Sequence, residues 1–133
     1  MSATAKELVR AAPSRVDPIA ALRGFFHIAD AWSITAEEAR IILGAPAERT
    51  YYAWRAGNAV RVPQDTLRRI GYIAGIYQAL QILYADPHLA DGWVKRTNRA
   101  LAGQTPLQRM CAGDVTDLAE VRNYLDTARA PWS

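Results

Sequence analysis

Between Gln64 and Tyr84 the chain carries apolar residues on most sides of a helical axis: Leu67, Ile70, Tyr72, Ile73, Ile76, Tyr77, Leu80, Ile82, Leu83 and Tyr84. A surface helix confines its apolar residues to one stripe, so a helix that is apolar over most of its circumference must be covered from at least two directions. In a chain of 133 residues, that requirement organises the rest: the other segments pack around this helix, or part of it is left to a second subunit. Gly71, Gly75 and Ala79 recur every four residues along it, a smooth strip that another helix can approach closely. Tight internal packing and pairing with a second copy are both open; the second gives a homodimer.

The segments on either side are punctuated as helices. Asp17-Pro18 opens one over residues 18–31, with Ile19, Leu22, Phe25, Phe26, Ala29 and Trp32 at helical spacing. Thr35-Ala36-Glu37-Glu38 is a capping box before a short helix over 36–43, and Gly44 supplies its left-handed stop. A further short helix spans 47–56, with Ala47, Tyr51 and Trp54 inward and Glu48, Arg49, Tyr52 and Arg55 outward. After the long helix, Asp86-Pro87 forces a break, and helices are expected over 89–97, 106–112 and from 115 or 116 to 129. Alternating strand patterns longer than three residues are missing, so the fold class is all-α.

The run from Trp93 to Leu107 is unlike a core helix. Lys95, Arg96 and Arg99 are interleaved with turn formers: Asn98 and Gly103 suit left-handed backbone, and Thr105-Pro106 opens the next helix. This predicts a compact loop presented on a rigid base, a docking surface and not a catalytic pocket.

Charge is segregated along the chain. Sixteen Lys and Arg against thirteen Asp and Glu give a net +3, a total too small to identify a nucleic-acid partner. Residues 48–69 nevertheless hold Arg49, Arg55, Arg61, Arg68 and Arg69 against Glu48 and Asp65, and residues 93–109 hold four cations and no acid. The two short helices about Gly44 have the layout of a helix-turn-helix. On its outer face Arg49, Thr50 and Tyr52 are candidates to reach base edges or phosphate, while Arg55, Asn58 and Arg61 would hold the DNA backbone. A solvated helix face is the competing reading.

Catalytic and metal chemistry find little to work with. The single Cys111 and the widely separated His27 and His88 form no metal-ligand set, and the sequence offers no phosphate-cradling glycine loop or paired nucleophile and base. His27 is read as a half-buried core residue, His88 as a turn residue and Cys111 as a small core residue. No cofactor is expected. With no signal-like leader and no apolar run long enough to span a bilayer, the expected setting is cytoplasmic, without membrane contact.

Over residues 35–129 the chain resembles the Xre/MbcA/ParS antitoxins, with matching positions at Trp93, Asn98, Leu101, Gly103, Thr105, Pro106, Leu107, Gly113, Val121 and Leu125. Arg49-Thr50-Tyr51 and Trp54 match the recognition helix of the Xre-like helix-turn-helix, although Arg40 stands where a small residue usually packs. Residues 1–16, with no sustained apolar pattern and Pro13-Ser14 near their end, are expected to be a flexible segment, and the resemblance implies a helix-turn-helix region within 17–85 and a toxin-binding domain at 86–133. It further implies a type II antitoxin that neutralises an NAD-degrading RES-domain toxin, encoded beside it, by covering the toxin's active site. Repression of its own operon through DNA binding is the accompanying expectation. The candidate toxin contacts are Lys95, Arg96, Arg99, Gln104, Arg109, Arg122, Tyr124, Arg129 and Trp132, the last either an aromatic anchor or part of a frayed tail. The alternative is a stand-alone helix-turn-helix regulator whose C-terminal half dimerises or binds a ligand.

Overall fold

The computed structural model describes residues 17–58 and 61–129. The regular structure among them is all helical: α1 (Pro18–Ala31), α2 (Ala36–Ile42), α3 (Glu48–Arg55), α4 (Gln64–Leu83), α5 (Pro87–Gly92), α6 (Pro106–Met110) and α7 (Val115–Arg129), with 3-10 turns at Trp93–Lys95 and Arg99–Leu101. The all-α expectation holds. The proposed 1–16 segment and Trp132 lie outside the described residues.

Each boundary has a local cause. The Asp17 carboxylate accepts the Ile19 N–H at 3.0 Å, with Pro18 in the first turn of α1. At α2 both halves of the capping box form: Glu38 N–H donates to the Thr35 hydroxyl and Thr35 N–H donates to the Glu38 carboxylate. The same device opens α6, with Thr105 and Gln108 exchanging donors at 3.0 and 2.8 Å. Such a cap is worth about 1 kcal/mol, enough to fix where short helices begin.

The long helix packs against both α1 and α7. Ile73, Ile76, Ala79 and Leu80 are fully buried, and they join Phe25, Trp32, Trp93, Leu118, Val121 and Leu125 in one continuous core. This core runs through both halves of the chain, since Leu22 and Leu125 belong to the same cluster. Burial of α4 is less complete than its composition predicts: Gly71, Ala74, Gln78, Ile82 and Leu83 are exposed. The small-residue strip accordingly splits. Gly75 and Ala79 are buried, and the Arg122 guanidinium of α7 lies against Gly75, where an added Cβ would stand 1.7 Å from Arg122 Nη1. Gly71 instead opens onto an apolar groove lined by Ala20, Ala21, Gly24 and Phe25 of α1.

The N-terminal and C-terminal helices are joined by a buried side chain. Arg69, 8% exposed, donates through Nε to Asp65 at 2.7 Å and through Nη2 to the Gly113 carbonyl at 3.1 Å. Its guanidinium also lies beside Gly44, whose missing Cβ would meet Arg69 Nε at 3.3 Å. Both glycines have positive φ, +103° and +105°, so each lets the backbone turn sharply against the arginine. Thr66, one helical turn earlier, donates to the Leu43 carbonyl at 3.1 Å. The α2–α3 turn and the α6–α7 turn are thereby fixed to the same stretch of α4.

Several local expectations are corrected. The helix expected over 89–97 starts earlier, because Asp86 caps it through the His88 N–H, and its α part stops at Gly92, where Trp93 and Val94 enter the core as a 3-10 turn. The helix after Pro106 ends at Met110. Ala47 is exposed, not inward, since it sits at the N-cap outside the first turn of α3. Asn98 is extended at φ −135°, its carbonyl-bearing side chain accepting the Ala100 N–H; Ala102 takes the left-handed conformation in its place, followed by Gly103. His27 is exposed on α1, its ring edge-on to Tyr77 at 6.3 Å.

Candidate functional site

The first candidate surface is the outer face of α3. Tyr51 and Trp54 are buried and fix this helix to the core, with the Tyr51 ring edge-on to Phe26 of α1 at 5.6 Å. Burial pushes the Tyr51 hydroxyl above its ordinary range, so it remains protonated. Helical spacing then turns Arg49 and Tyr52 outward, Tyr52 being 56% exposed, with Thr50 at the edge. Asn58 and Arg61 are exposed beyond the helix end. Arg55 is tied down: its guanidinium pairs with Asp30 at 2.8 Å and lies 4.8 Å above the Phe26 ring.

Arg40, where a small residue was the family pattern, is accommodated by leaving the helix interface. Its guanidinium pairs with Glu37 at 2.6 Å and donates to the Pro46 carbonyl at 2.8 Å, so it braces the turn into α3 from outside. The hydrogen bond from Arg40 holds the Glu37 carboxyl below its usual range.

The second surface is built on α5, the two 3-10 turns, α6 and α7. Trp93 and Leu101 are buried beneath it, and the Trp93 ring stacks on Tyr124 of α7 at 6.2 Å. The loop between the turns is closed by Asn98 N–H donating to the Gln104 carbonyl at 2.9 Å, and by Gly103 N–H donating to the Asn98 carbonyl at 3.0 Å. The seven residues from Asn98 to Gln104 are thereby closed into a compact loop.

Its cations divide: Lys95 and Arg96 are exposed as expected, although each also holds a backbone carbonyl, whereas Arg109 and Arg122 are only partly exposed. Lys95 Nζ donates to the Ser33 carbonyl at 2.8 Å, joining this loop to the end of α1. Arg96 donates to the Leu89 carbonyl at 2.9 Å while its guanidinium lies 5.9 Å from the Tyr84 ring. Arg109 and Arg122 are only partly exposed; they pair with Glu120 at 3.4 Å and Asp126 at 3.2 Å. The reason is spatial: Arg109 lies between α6 and α7, and Arg122 fills the space that Gly75 leaves. Arg99, Gln104 and Arg129 are exposed, and Tyr124 is 37% exposed.

Sequence reasoning missed three residues on this side, namely Ile82, Leu83 and Leu89, which are 56%, 38% and 50% exposed. The first two were counted among the apolar residues of the central helix. A signal was available for Ile82, since it falls one turn after the polar Gln78 and so on the helix's outer side. Arg69 was counted only as a cation, although the acid four residues before it, Asp65, marks a helical ion pair.

Cys111 is partly buried, its thiol 4.0 Å from the Glu38 carbonyl, and burial raises its pKa to about 11. The described residues contain no cluster able to hold a metal ion, and no helix among them is long and apolar enough to cross a membrane.

Comparison with known proteins bears on the second surface. Residues 79–130 match the family described as the antitoxin Xre/MbcA/ParS C-terminal toxin-binding domain. The match starts inside α4, so it includes that helix's last turn together with everything from α5 to the end of α7. Over 110 residues the chain is 37% identical to the uncharacterized protein y4oB of Sinorhizobium fredii (strain NBRC 101917 / NGR234), an alignment covering 83% of this chain and 84% of the relative. No solved structure matches. The loop closed by Asn98, Gly103 and Gln104 on its Trp93 and Leu101 base falls within the matched residues, so the chain carries at residues 79–130 the C-terminal toxin-binding domain of the Xre/MbcA/ParS antitoxins.

Proposed function

We propose that this protein is the antitoxin of a type II toxin–antitoxin pair, acting in the cytoplasm, and that its partner is an NAD-degrading RES-domain toxin encoded beside it. The observation carrying this reading is the toxin-binding domain at 79–130, whose surface includes a rigid, exposed loop over a buried Trp93 base. The mechanism is occlusion: the loop and the exposed side of α7 cover the entrance to the toxin's active site, and no bond is made or broken by the antitoxin. Lys95, Arg96, Arg99, Gln104, Tyr124 and Arg129 are the contact candidates on the outer surface. Arg109 and Arg122 act through position, holding α6 and α7 in place. Trp132, outside the described residues, is kept as a candidate aromatic anchor for the toxin.

A second activity is favoured by the outer face of α3, where Arg49 and Tyr52 are exposed on a helix held rigidly by Tyr51 and Trp54. In this reading residues 35–61 bind operator DNA, with Arg49, Thr50 and Tyr52 toward the groove and Arg55, Asn58 and Arg61 along the backbone. A protein using both surfaces represses the operon that encodes it.

The test is growth and NAD content in cells expressing the product of the adjacent gene, with and without this chain. Arrested growth and NAD loss, both reversed by the full chain, is the expected result. A harmless neighbour, or arrest that the chain leaves untouched, overturns the antitoxin assignment and leaves operator binding as the function to pursue.

A further inference from the structure

We propose that the toxin is gripped at an apolar patch formed where α4 meets α5, centred on Ile82, Leu83 and Leu89, with the basic residues forming its rim; this rests on the antitoxin reading above. The three side chains stand at one corner, where α5 packs on the end of α4. Ile82 and Leu83 end α4, and the next residue, Tyr84, lies under the Arg96 guanidinium. Arg96 in turn donates to the Leu89 carbonyl, and Gln81 Nε2 donates to Asp91 at 3.1 Å, holding the last turn of α4 against α5. Three large apolar side chains are therefore held exposed on a braced corner.

Two observations select the toxin as the occupant. The patch lies inside the matched toxin-binding residues, whereas the other apolar opening, the α1–α4 groove lined by Ala20, Gly24 and Leu67, lies outside them. The cations nearby are also partly used up. Lys95, Arg96, Arg109 and Arg122 each have an acceptor within this chain, so part of what a partner gains from them is offset by the contact they leave. Apolar side chains in water carry no such cost and gain on burial in proportion to area. An interface with apolar anchors at its centre and charges at its edge is the usual arrangement, the centre setting the dissociation rate and the rim setting the association rate.

The experiment uses the full chain and the purified product of the adjacent toxin gene, with binding followed by surface-immobilised kinetics. Ile82→Glu combined with Leu89→Glu changes two exposed positions, and the circular dichroism melt of the double variant checks that the fold is retained. The expected result is a loss of affinity of about 100-fold or more, carried by faster dissociation. Arg99→Glu is expected to slow association by less than about tenfold, and raising the salt from about 0.05 to 0.5 M to do the same. A folded double variant that binds as well as the native chain overturns the patch, as does a native complex that salt dissociates. If the patch instead serves a second copy, the double variant converts a dimer to a monomer in sedimentation while toxin affinity stays unchanged, which also overturns it. Absence of any binding by the native chain is a different outcome: it removes the antitoxin reading and the patch together.

Discussion

The α3 face and the C-terminal loop are both rich in basic residues, but they use them in opposite ways. On α3, Tyr51 and Trp54 go inward and Arg49 and Tyr52 remain in water, with Arg55 tied to a neighbouring helix. Around the C-terminal loop, cations hold the protein's own backbone and acids, and large apolar side chains are left outside. A surface of the first kind suits a hydrated polyanion, which is gained by charge and lost with salt. One of the second kind suits another protein. The distinction lies in the placement of partners and not in composition, since the two segments are similarly basic.

The sharpest way to break this comparison is to ask whether the two surfaces are energetically separate. Trp93→Ala removes a core ring and the stack on Tyr124, and should lower stability by about 3–5 kcal/mol. Because one core runs through the molecule, toxin capture and the far-ultraviolet signal should be lost in a single denaturant transition. Two transitions would mean that the halves fold independently.

Arg69→Ala tests the link between them. It removes the donor shared by Asp65 and the Gly113 carbonyl, and the expected cost is about 2–3 kcal/mol by equilibrium denaturation. A cost below about 0.5 kcal/mol would show that the two turns are held without it.

Arg49→Ala with Tyr52→Ala sharpens the contrast directly. Operator affinity in a gel-shift or anisotropy assay should fall by about 1–3 kcal/mol per lost base contact, with a shallower salt slope, while toxin neutralisation is untouched. A parallel loss of neutralisation would place both partners on one surface.

Cys111 gives a pH-dependent reading of the same core. Its folded pKa of about 11 lies above the ordinary thiol value of 9.0, so the native state retains the proton after the unfolded chain has released it. The associated stability is complete below pH 9.0 and is lost as pH rises through about 11. Native protein at pH 8 should therefore be alkylated by iodoacetamide far more slowly than unfolded protein; equal rates would contradict the burial.

The smallest effect separates two glycines one turn apart. Gly71→Ala meets nothing within 4 Å and should raise stability by about 0.5–1 kcal/mol through helix propensity. Gly75→Ala forces the Arg122 guanidinium aside, and the melting temperature should gain less than with Gly71→Ala.

Helix ends were readable where they are written in side chains: Asp17-Pro18, the Thr35 box and the Thr105 cap act within a few residues of themselves, and Asp86-Pro87 marked the end of α4 although not the start of α5. Ala102 was not readable, since a left-handed alanine is imposed by closure of the loop and not by its own preference. The positions of candidate contacts were readable on α3, where helical spacing alone decides which residues face out. They were less so in the C-terminal unit. Whether Arg122 is a contact or a filler depends on Gly75, forty-seven residues away, and whether Ile82 is core or surface depends on where α5 leaves α4 uncovered. Long-range packing decides both, and periodicity contains no record of it.

The central claim is that this chain inactivates its partner by covering it. The most direct measurement is NAD consumption by the purified toxin as the full-length chain is titrated in. The account predicts that consumption falls to zero at a fixed stoichiometric ratio, and that the Ile82→Glu, Leu89→Glu variant fails to stop it at the same ratio. Undiminished NAD consumption at saturating native chain would contradict the account.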